Sequence, residues 1–425
     1  MKPITTILFL FFTQIINAQN TGTDSIYMPN IHTVQLFQQN NQMSLPVLNL
    51  GSSDLMELHF DDLDGYVKNY SYTFQLCNED WSEVDLSPFD YIRGFTQNRL
   101  TQYRASSIAL TKYIHYQALL PDRGCVPIKS GNYLLKVFLN GDINQIAFTK
   151  KFFVVDNRAT IGVQILQPFD NSLFRTHQRV QVSVNVAQLN PINPQQQIKL
   201  VILQNNRWDN VVRNIMPAFI RGNVLEYNGE QDCLFPSGNE YRWVDLRSFR
   251  LATERVASID KNVQPNEIFL KPDAARSQIR YAYFKDYNGW YFIQTTESVN
   301  PFWQGDYANV HFTFIPPNKK PFENKNLYIT SNFTNDKLNE ESKLEFNDDE
   351  GVYEKSFLLK QGYYTYSYVT TDSNNANTKA NQSITEGNLW DTENDYTVFV
   401  YYRSLNGRHD ELVAITTANS KLLTR

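Results

Sequence analysis

Along much of the chain, apolar and polar residues alternate. Tyr70, Tyr72, Phe74 and Leu76 fall on one side of an extended backbone and Ser71, Thr73 and Gln75 on the other, the two-residue period of a half-buried strand. Val310, Phe312 and Phe314 alternate in the same way with His311 and Thr313, and Tyr364, Tyr366 and Tyr368 with Thr365 and Ser367. Turn-forming groups separate these runs: Asp64-Gly65, Ser130-Gly131-Asn132, Asn140-Gly141-Asp142, Asn228-Gly229, Asn288-Gly289 and Asn406-Gly407. Short alternating strands between such turns predict an all-β fold of tandem immunoglobulin-like β-sandwich domains.

At the N-terminus the pattern differs. Lys2 precedes an uncharged run over residues 4–16, and the small Ala18 follows, which predicts a signal peptide over residues 1–18 and export of the rest. The run is too short to span a bilayer, which takes roughly 20 apolar residues. No cysteine follows the expected cleavage point, so a soluble periplasmic protein without a lipid anchor and without direct membrane insertion is expected. At about 100–200 residues per domain the remaining chain suggests three domains. Strands over 133–139 and 146–155 end at Asp156-Asn157-Arg158, and a new alternating run opens at Ile161, which places one boundary near residue 157. Runs over 180–186, 198–203, 279–284 and 290–295 fill a second unit, and 297–306 reads as the next connection. The expected domains are therefore 19–156, 157–297 and 298–425. Residues 103–115 have mixed character and leave strand and short helix both open.

Composition narrows the function. Tyr and Phe number 25 and 28 in a chain of 425, which supplies core-forming aromatics for every domain. The formal charge of −5 provides no basic footprint for nucleic acid or an anionic membrane. The six histidines, His32, His59, His115, His177, His311 and His409, stand singly, with no spacing that brings two imidazoles to one metal, so neither a metal site nor a cofactor is expected. No nucleophile elbow, P-loop or dinucleotide fingerprint follows a strand. The acid pair Asp61-Asp62 should point to opposite faces of its strand, and 347–351 reads as a solvated hairpin turn closed by Gly351. The expectation is a binding protein rather than an enzyme.

Two further readings stay open at this level. Cys77 and Cys125 fall within one expected domain and are the pair that an oxidising compartment could bridge; buried free thiols are the alternative, with Cys233 left over in either case. The strand order over 328–333, 344–346, 353–357 and Gly362-Tyr363-Tyr364-Thr365-Tyr366 is similar to that of glycogen-binding sandwiches, which makes a carbohydrate-binding protein the alternative function, with Trp303 and Trp390 as stacking candidates. Against it, Thr334-Asn335-Asp336-Lys337 stands where that family carries a tryptophan pair, and Trp290, Trp303, Trp390 and the tyrosine rows serve equally as core.

A set of dispersed phrases, in order, gives the whole mature chain a family resemblance. They are Cys77-Asn78-Glu79-Asp80-Trp81, Tyr91-Ile92-Arg93-Gly94-Phe95, Tyr113-Ile114-His115-Tyr116 with Leu120-Pro121, Ser130-Gly131-Asn132-Tyr133, Gln204-Asn205-Asn206-Arg207-Trp208-Asp209, Gly238-Asn239-Glu240-Tyr241-Arg242, Glu386-Gly387-Asn388, Thr392-Glu393-Asn394-Asp395-Tyr396, Tyr401-Tyr402-Arg403 and Asp410-Glu411-Leu412. With these the chain resembles the Plug protein family of the type IX secretion system of Bacteroidetes; Ile108-Ala109 departs from the Asn-Thr pair usual before Tyr113. The resemblance implies a periplasmic protein whose partner is a giant outer-membrane β-barrel translocon and which occludes the translocon pore while no substrate passes. Residues 78–81, 204–208 and 238–242 are the candidate contact surfaces. Their structural alternative is a corner role, with Trp81 filling a core and Arg242 pairing with a carboxylate.

Overall fold

A computed structural model describes residues 24–374 and 379–421; the expected signal peptide lies outside the described residues. The fold is all-β. In the first unit a six-stranded sheet runs in the order Ser25–Ile26, Ile146–Val155, Gly131–Leu139, Tyr70–Cys77, Asn98–Arg99, with Val47–Asn49 added parallel to Ile146–Val155. A four-stranded sheet, Ile31–Gln38, Met56–Asp62, Ile114–Leu120, Gln102–Ala105, packs against it. The core between them holds Phe60, Tyr70, Tyr72, Phe74, Tyr116, Tyr133, Phe148 and Phe152. The alternation at 70–76 does what its period implies: Tyr70, Tyr72, Phe74 and Leu76 are buried, while Ser71, Thr73 and Gln75 face partly outward. The stretch 103–115 resolves into the edge strand Gln102–Ala105, a loop and the start of Ile114–Leu120, with no helix.

The second unit pairs Thr160–Leu166, His177–Asn185, Val224–Tyr227 and Phe219–Arg221, with Leu234–Pro236 joined to His177–Asn185. Facing it is a three-stranded sheet of Ile198–Gln204, Asp395–Tyr402 and Glu411–Asn419. The third unit is one long hydrogen-bonded path, from Arg242–Asp245 through Gly362–Asp372, Lys325–Thr330, Lys343–Asn347, Val352–Lys360, Tyr307–Ile315 and Asn266–Leu270 to Val256–Asp260. Its turn at 347–351 is exposed at Asp348, Asp349 and Glu350, and Gly351 adopts φ +69°, where a side chain would be strained.

The threading differs from the expected division at 297/298. Strands from 242 to 293 belong to the sheets of 307–372, and the last two strands, 395–402 and 411–419, return to the second unit. Alternation identifies a strand and its inner face but not its partner, and here the partners are far apart in the chain: Gln204 pairs with Tyr396. The strand expected at 279–284 is irregular coil without a sheet partner. No helix among the described residues is long and apolar enough to cross a membrane.

Candidate functional site

Apart from the exposed Asp80, the three candidate contact phrases turn largely inward, and each becomes part of a seam between units. Trp81, 6% exposed, packs edge-on against Trp208 at 5.2 Å between ring centroids and against Phe153 at 5.6 Å. Phe399 of the second unit closes the same cluster, 4.8 Å from Phe153. Trp81 thus fills the seam between the first and second units rather than the first core. The Lys151 ammonium lies 4.8 Å from the Trp81 ring and 4.6 Å from Trp208, and burial pulls its amine down to about 8. Polar groups finish the seam: Glu79 N donates to Asp410 Oδ2 at 3.2 Å, Arg403 Nη2 to Asn78 Oδ1 at 2.6 Å, and Tyr401 OH to Asn132 Oδ1 at 2.7 Å.

The phrase at 204–208 belongs to the second unit and reaches the third through Arg207, whose charge acts on Tyr241 and Asp336. Gln204 Nε2 donates to the Pro236 carbonyl at 2.9 Å, Asn205 Nδ2 to Asn394 Oδ1 at 2.8 Å, and Arg207 forks onto Asp209 at 3.0 and 2.6 Å. At 238–242 the corner alternative describes the geometry. Arg242 binds Glu386 through Nε at 2.9 Å and Nη2 at 3.1 Å, Asp273 through Nη1 at 2.7 Å, and the Ala274 carbonyl through Nη2 at 2.7 Å. Arg276 adds a second guanidinium on Glu386 and Arg255 one on Asp273, while Tyr366 and Tyr368 hydroxyls donate to Asp273 Oδ2 at 2.8 and 3.0 Å. Burial alone would raise the Glu386 carboxyl, but the Arg242 and Arg276 charges overcome it and hold it at about 2.

A third seam, which sequence reasoning missed, joins the first unit to the third. His59 Nδ1 and His115 Nε2 lie 3.1 Å apart, His115 Nδ1 stands 2.7 Å from Asp61 Oδ1, and Tyr307 OH donates to Asp61 Oδ2 at 2.6 Å. The Lys360 ammonium, 1% exposed, binds the same carboxylate and the Phe302 carbonyl. Burial would raise Asp61, yet the Lys360 charge and the His115 hydrogen bond hold it below the usual carboxylate range; burial pulls the His115 ring down to about 4. The expected opposition of Asp61 and Asp62 is present: Asp62 faces away, accepting from Tyr70 OH at 2.8 Å and Asn30 Nδ2 at 2.7 Å. His115 lay within a flagged phrase, but nothing in sequence linked it to Lys360.

Where the three units meet, a cleft of about 470 Å³ is lined among others by Lys150, Lys151, Trp208, Trp290, Asp336 and Lys337. Two of its cations have partners: Lys150 Nζ reaches Asp24 at 3.1 Å and Asn335 Oδ1 at 2.8 Å, and Lys337 Nζ the Ser25 hydroxyl at 2.6 Å. The rings proposed for sugar stacking are occupied elsewhere. Tyr364, Tyr366 and Tyr368 are core, Trp390 packs on the second core, and the Arg104 guanidinium covers Trp303 at 4.6 Å. The cysteines are buried free thiols, including Cys77 and Cys125.

Large apolar side chains do reach solvent on loops of the first unit. Phe89 is 74% exposed, Phe95 72%, Ile108 70% and Leu110 57%. The loop carrying the last two is fixed at its base. Asp306 accepts from the backbone of Leu110 and Thr111 at 3.0 Å each, Ser107 N donates to the Trp303 carbonyl at 2.8 Å, and Tyr113 OH to the Gly305 carbonyl at 2.6 Å. Ile108 itself sits at φ +72°, a costly conformation for a β-branched residue.

The family model of the type 9 secretion system plug protein 1st domain matches residues 31–156. The crystal structure of a hypothetical protein from Parabacteroides merdae aligns with a TM-score of 0.88 at 31% identity, covering 93% of this chain and 99% of that one. An alkylpurine DNA glycosylase from Pseudomonas fluorescens, bound to DNA containing an abasic site analog, aligns at a TM-score of 0.17 and 13% identity over 29% of this chain and 30% of that one, too weak to carry any argument. No curated protein matches the chain.

Proposed function

Because this chain belongs to the plug protein family of type 9 secretion, we propose that it is a periplasmic stopper, which binds the giant outer-membrane β-barrel translocon and occludes its pore while no substrate passes. The family match over residues 31–156 carries this reading. The same segment bears Phe89, Phe95, Ile108 and Leu110, apolar side chains presented on loops rather than folded into a core. A few apolar anchors within a polar surface suit a reversible contact better than a permanent one. Seams of packed aromatics, hydrogen bonds and the buried Asp61–Lys360 ion pair hold the three units as one block, and a block that keeps its shape obstructs a pore better than a flexible string. The polar groups brought together at 61, 115 and 360 are 1, 2 and 1% exposed and bind one another, which supports a structural rather than a catalytic role.

Affinity purification of the tagged chain from detergent-solubilised outer membrane should recover a very large β-barrel. Cells lacking the chain should admit hydrophilic compounds that the outer membrane normally excludes, and deleting the barrel as well should abolish the leak. A leak that persists without the barrel, or recovery of soluble periplasmic partners and never the barrel, rejects pore occlusion in favour of a periplasmic adaptor.

A further inference from the structure

A group of carboxylates lies where the chain passes between the second and third units. Glu240 precedes the strand Arg242–Asp245, Asp286 stands five residues ahead of Tyr291–Ile293, and Glu393 lies just before Asp395–Tyr402. One carboxylate oxygen from each falls within 4.8 Å of those of the other two. Glu240 is 0% exposed and Asp286 5%, so water does little to screen their repulsion. Asp395 adds a fourth carboxylate through the shared partner Asn288. Lys421, 2.9 Å from Tyr281 OH, is an ammonium whose field reaches Glu240 and Glu393.

Two acceptor atoms here lack the donor that a buried oxygen requires. Glu240 Oε1 accepts from Tyr281 OH and from Glu393 N at 3.2 Å, but its Oε2 is buried with no partner. Asn288 is independent of the acids in chemistry and points into them. It is 7% exposed, its Nδ2 lies 3.3 Å from Glu393 Oε1 and 3.1 Å from Asp395 Oδ2, and its Oδ1 is buried without a donor. A half-turn of that amide exchanges oxygen and nitrogen and sets a neutral acceptor among the carboxylates.

We propose that Glu240, Asp286, Glu393 and the Asn288 amide oxygen form a binding site for a calcium ion, which ties the second unit to the third. Every donor atom is oxygen, the choice of a hard cation, and the group contains no imidazole or thiolate to favour zinc or copper. Calcium holds six to eight oxygens at about 2.3–2.6 Å in flexible geometry, so oxygens that already lie within 4.8 Å of one another can converge on it. Magnesium needs a tighter octahedron at about 2.0–2.1 Å and keeps several waters, which suits a largely buried, irregular set less well. Burial first and the neighbouring charges second push Asp286 up to about 7 and raise Glu240 and Glu393, so a cation competes with protons for these oxygens.

Calcium titration of the full mature chain by calorimetry tests this. The expected result is one calcium per chain, proton release in buffers of differing ionisation heat, a rise in Tm, and affinity about tenfold weaker at about pH 5.5 than at about pH 7.5. E240Q and E393Q should each weaken binding at least about tenfold while raising the Tm in chelator, because each removes a repelled charge. Terbium supplies a second readout: Tyr281, hydrogen-bonded to Glu240, should sensitise its emission, and calcium should quench it by competition. No calcium heat and no terbium emission from the wild type, or E240Q and E393Q that bind calcium as the wild type does, overturns the proposal.

Discussion

Replacing Glu386 by glutamine keeps its size and removes its charge from the most heavily paired carboxylate at the corner of the third unit. Glu386 is 0% exposed and accepts from Arg242, Arg276 and the Tyr368 backbone N–H at 3.0 Å. Its carboxyl goes from 4.5 to about 2 on folding. At about 1.4 kcal/mol per tenfold change in a proton equilibrium, that fall contributes about 3 kcal/mol at neutral pH. Glutamine also leaves Arg242 to share Asp273 with Arg255 and strips Arg276 of its carboxylate, so the expected loss is about 3–5 kcal/mol, the cost of breaking a buried pair from one side. The folded value lies below the unfolded one, so the contribution is complete above pH 4.5 and is lost as pH falls toward about 2. Urea denaturation of wild type and E386Q, followed by tryptophan fluorescence, should therefore give a large gap in midpoint at about pH 7 that narrows steadily below about pH 4.5. A gap worth under about 1 kcal/mol at neutral pH, or one that stays constant down to about pH 3, refutes the assignment of this stability to the ionised glutamate.

Other seams give further expectations. Trp81→Ala empties the contact with Trp208 and Phe153 and should cost about 3–5 kcal/mol, read as a lowered urea midpoint. Lys360→Met leaves Asp61 buried without its ammonium and should cost about 3–5 kcal/mol, whereas the double variant with Asp61→Asn should recover much of it, as a double-mutant cycle would measure. Burial pushes all three thiols up to about 12, so Cys77, Cys125 and Cys233 should resist a disulfide reagent at about pH 8 and react together once urea unfolds the chain.

Local chemistry was legible in the sequence; long-range partnership was not. The period at 70–76 revealed both a strand and its buried face, because alternation is set by backbone geometry within a few residues. Arg242 could be read as a corner because a long cation in a strand-rich phrase needs a carboxylate, but which one could not: Glu386 lies 144 positions away. The same limit hid the third seam, where Lys360 meets Asp61 across 299 positions. Residues 279–284 alternate as a strand does, yet Tyr281 turns its hydroxyl to Glu240 and Tyr283 is 54% exposed, so the pattern there reflects tertiary contacts without a sheet. Trp81 and Trp208 illustrate another ambiguity: an aromatic in a polar phrase reads as a contact residue, and it is one, but toward a neighbouring unit of the same chain.

The threading also constrains how the block can move. The chain enters the third unit near Gly238 and leaves it near Asn388, and these two passages bind each other: Leu389 N donates to the Gly238 carbonyl at 2.9 Å, Gly238 N to Asn388 Oδ1 at 3.0 Å, and Asn239 Nδ2 to the Glu386 carbonyl at 3.0 Å. A hinge between the second and third units would have to shear two strands of backbone at once. The first unit has one covalent crossing, near Asp156, braced by Asp156 N and Arg158 N on the carbonyls of Leu412 and Val413 at 3.0 and 2.9 Å. Of the two junctions the doubly threaded one is therefore the stiffer, and the proposed calcium ligands belong to its approaches, with Glu240 on the entering passage and Glu393 on the returning one. For a stopper, this favours release as a body over opening between its second and third units.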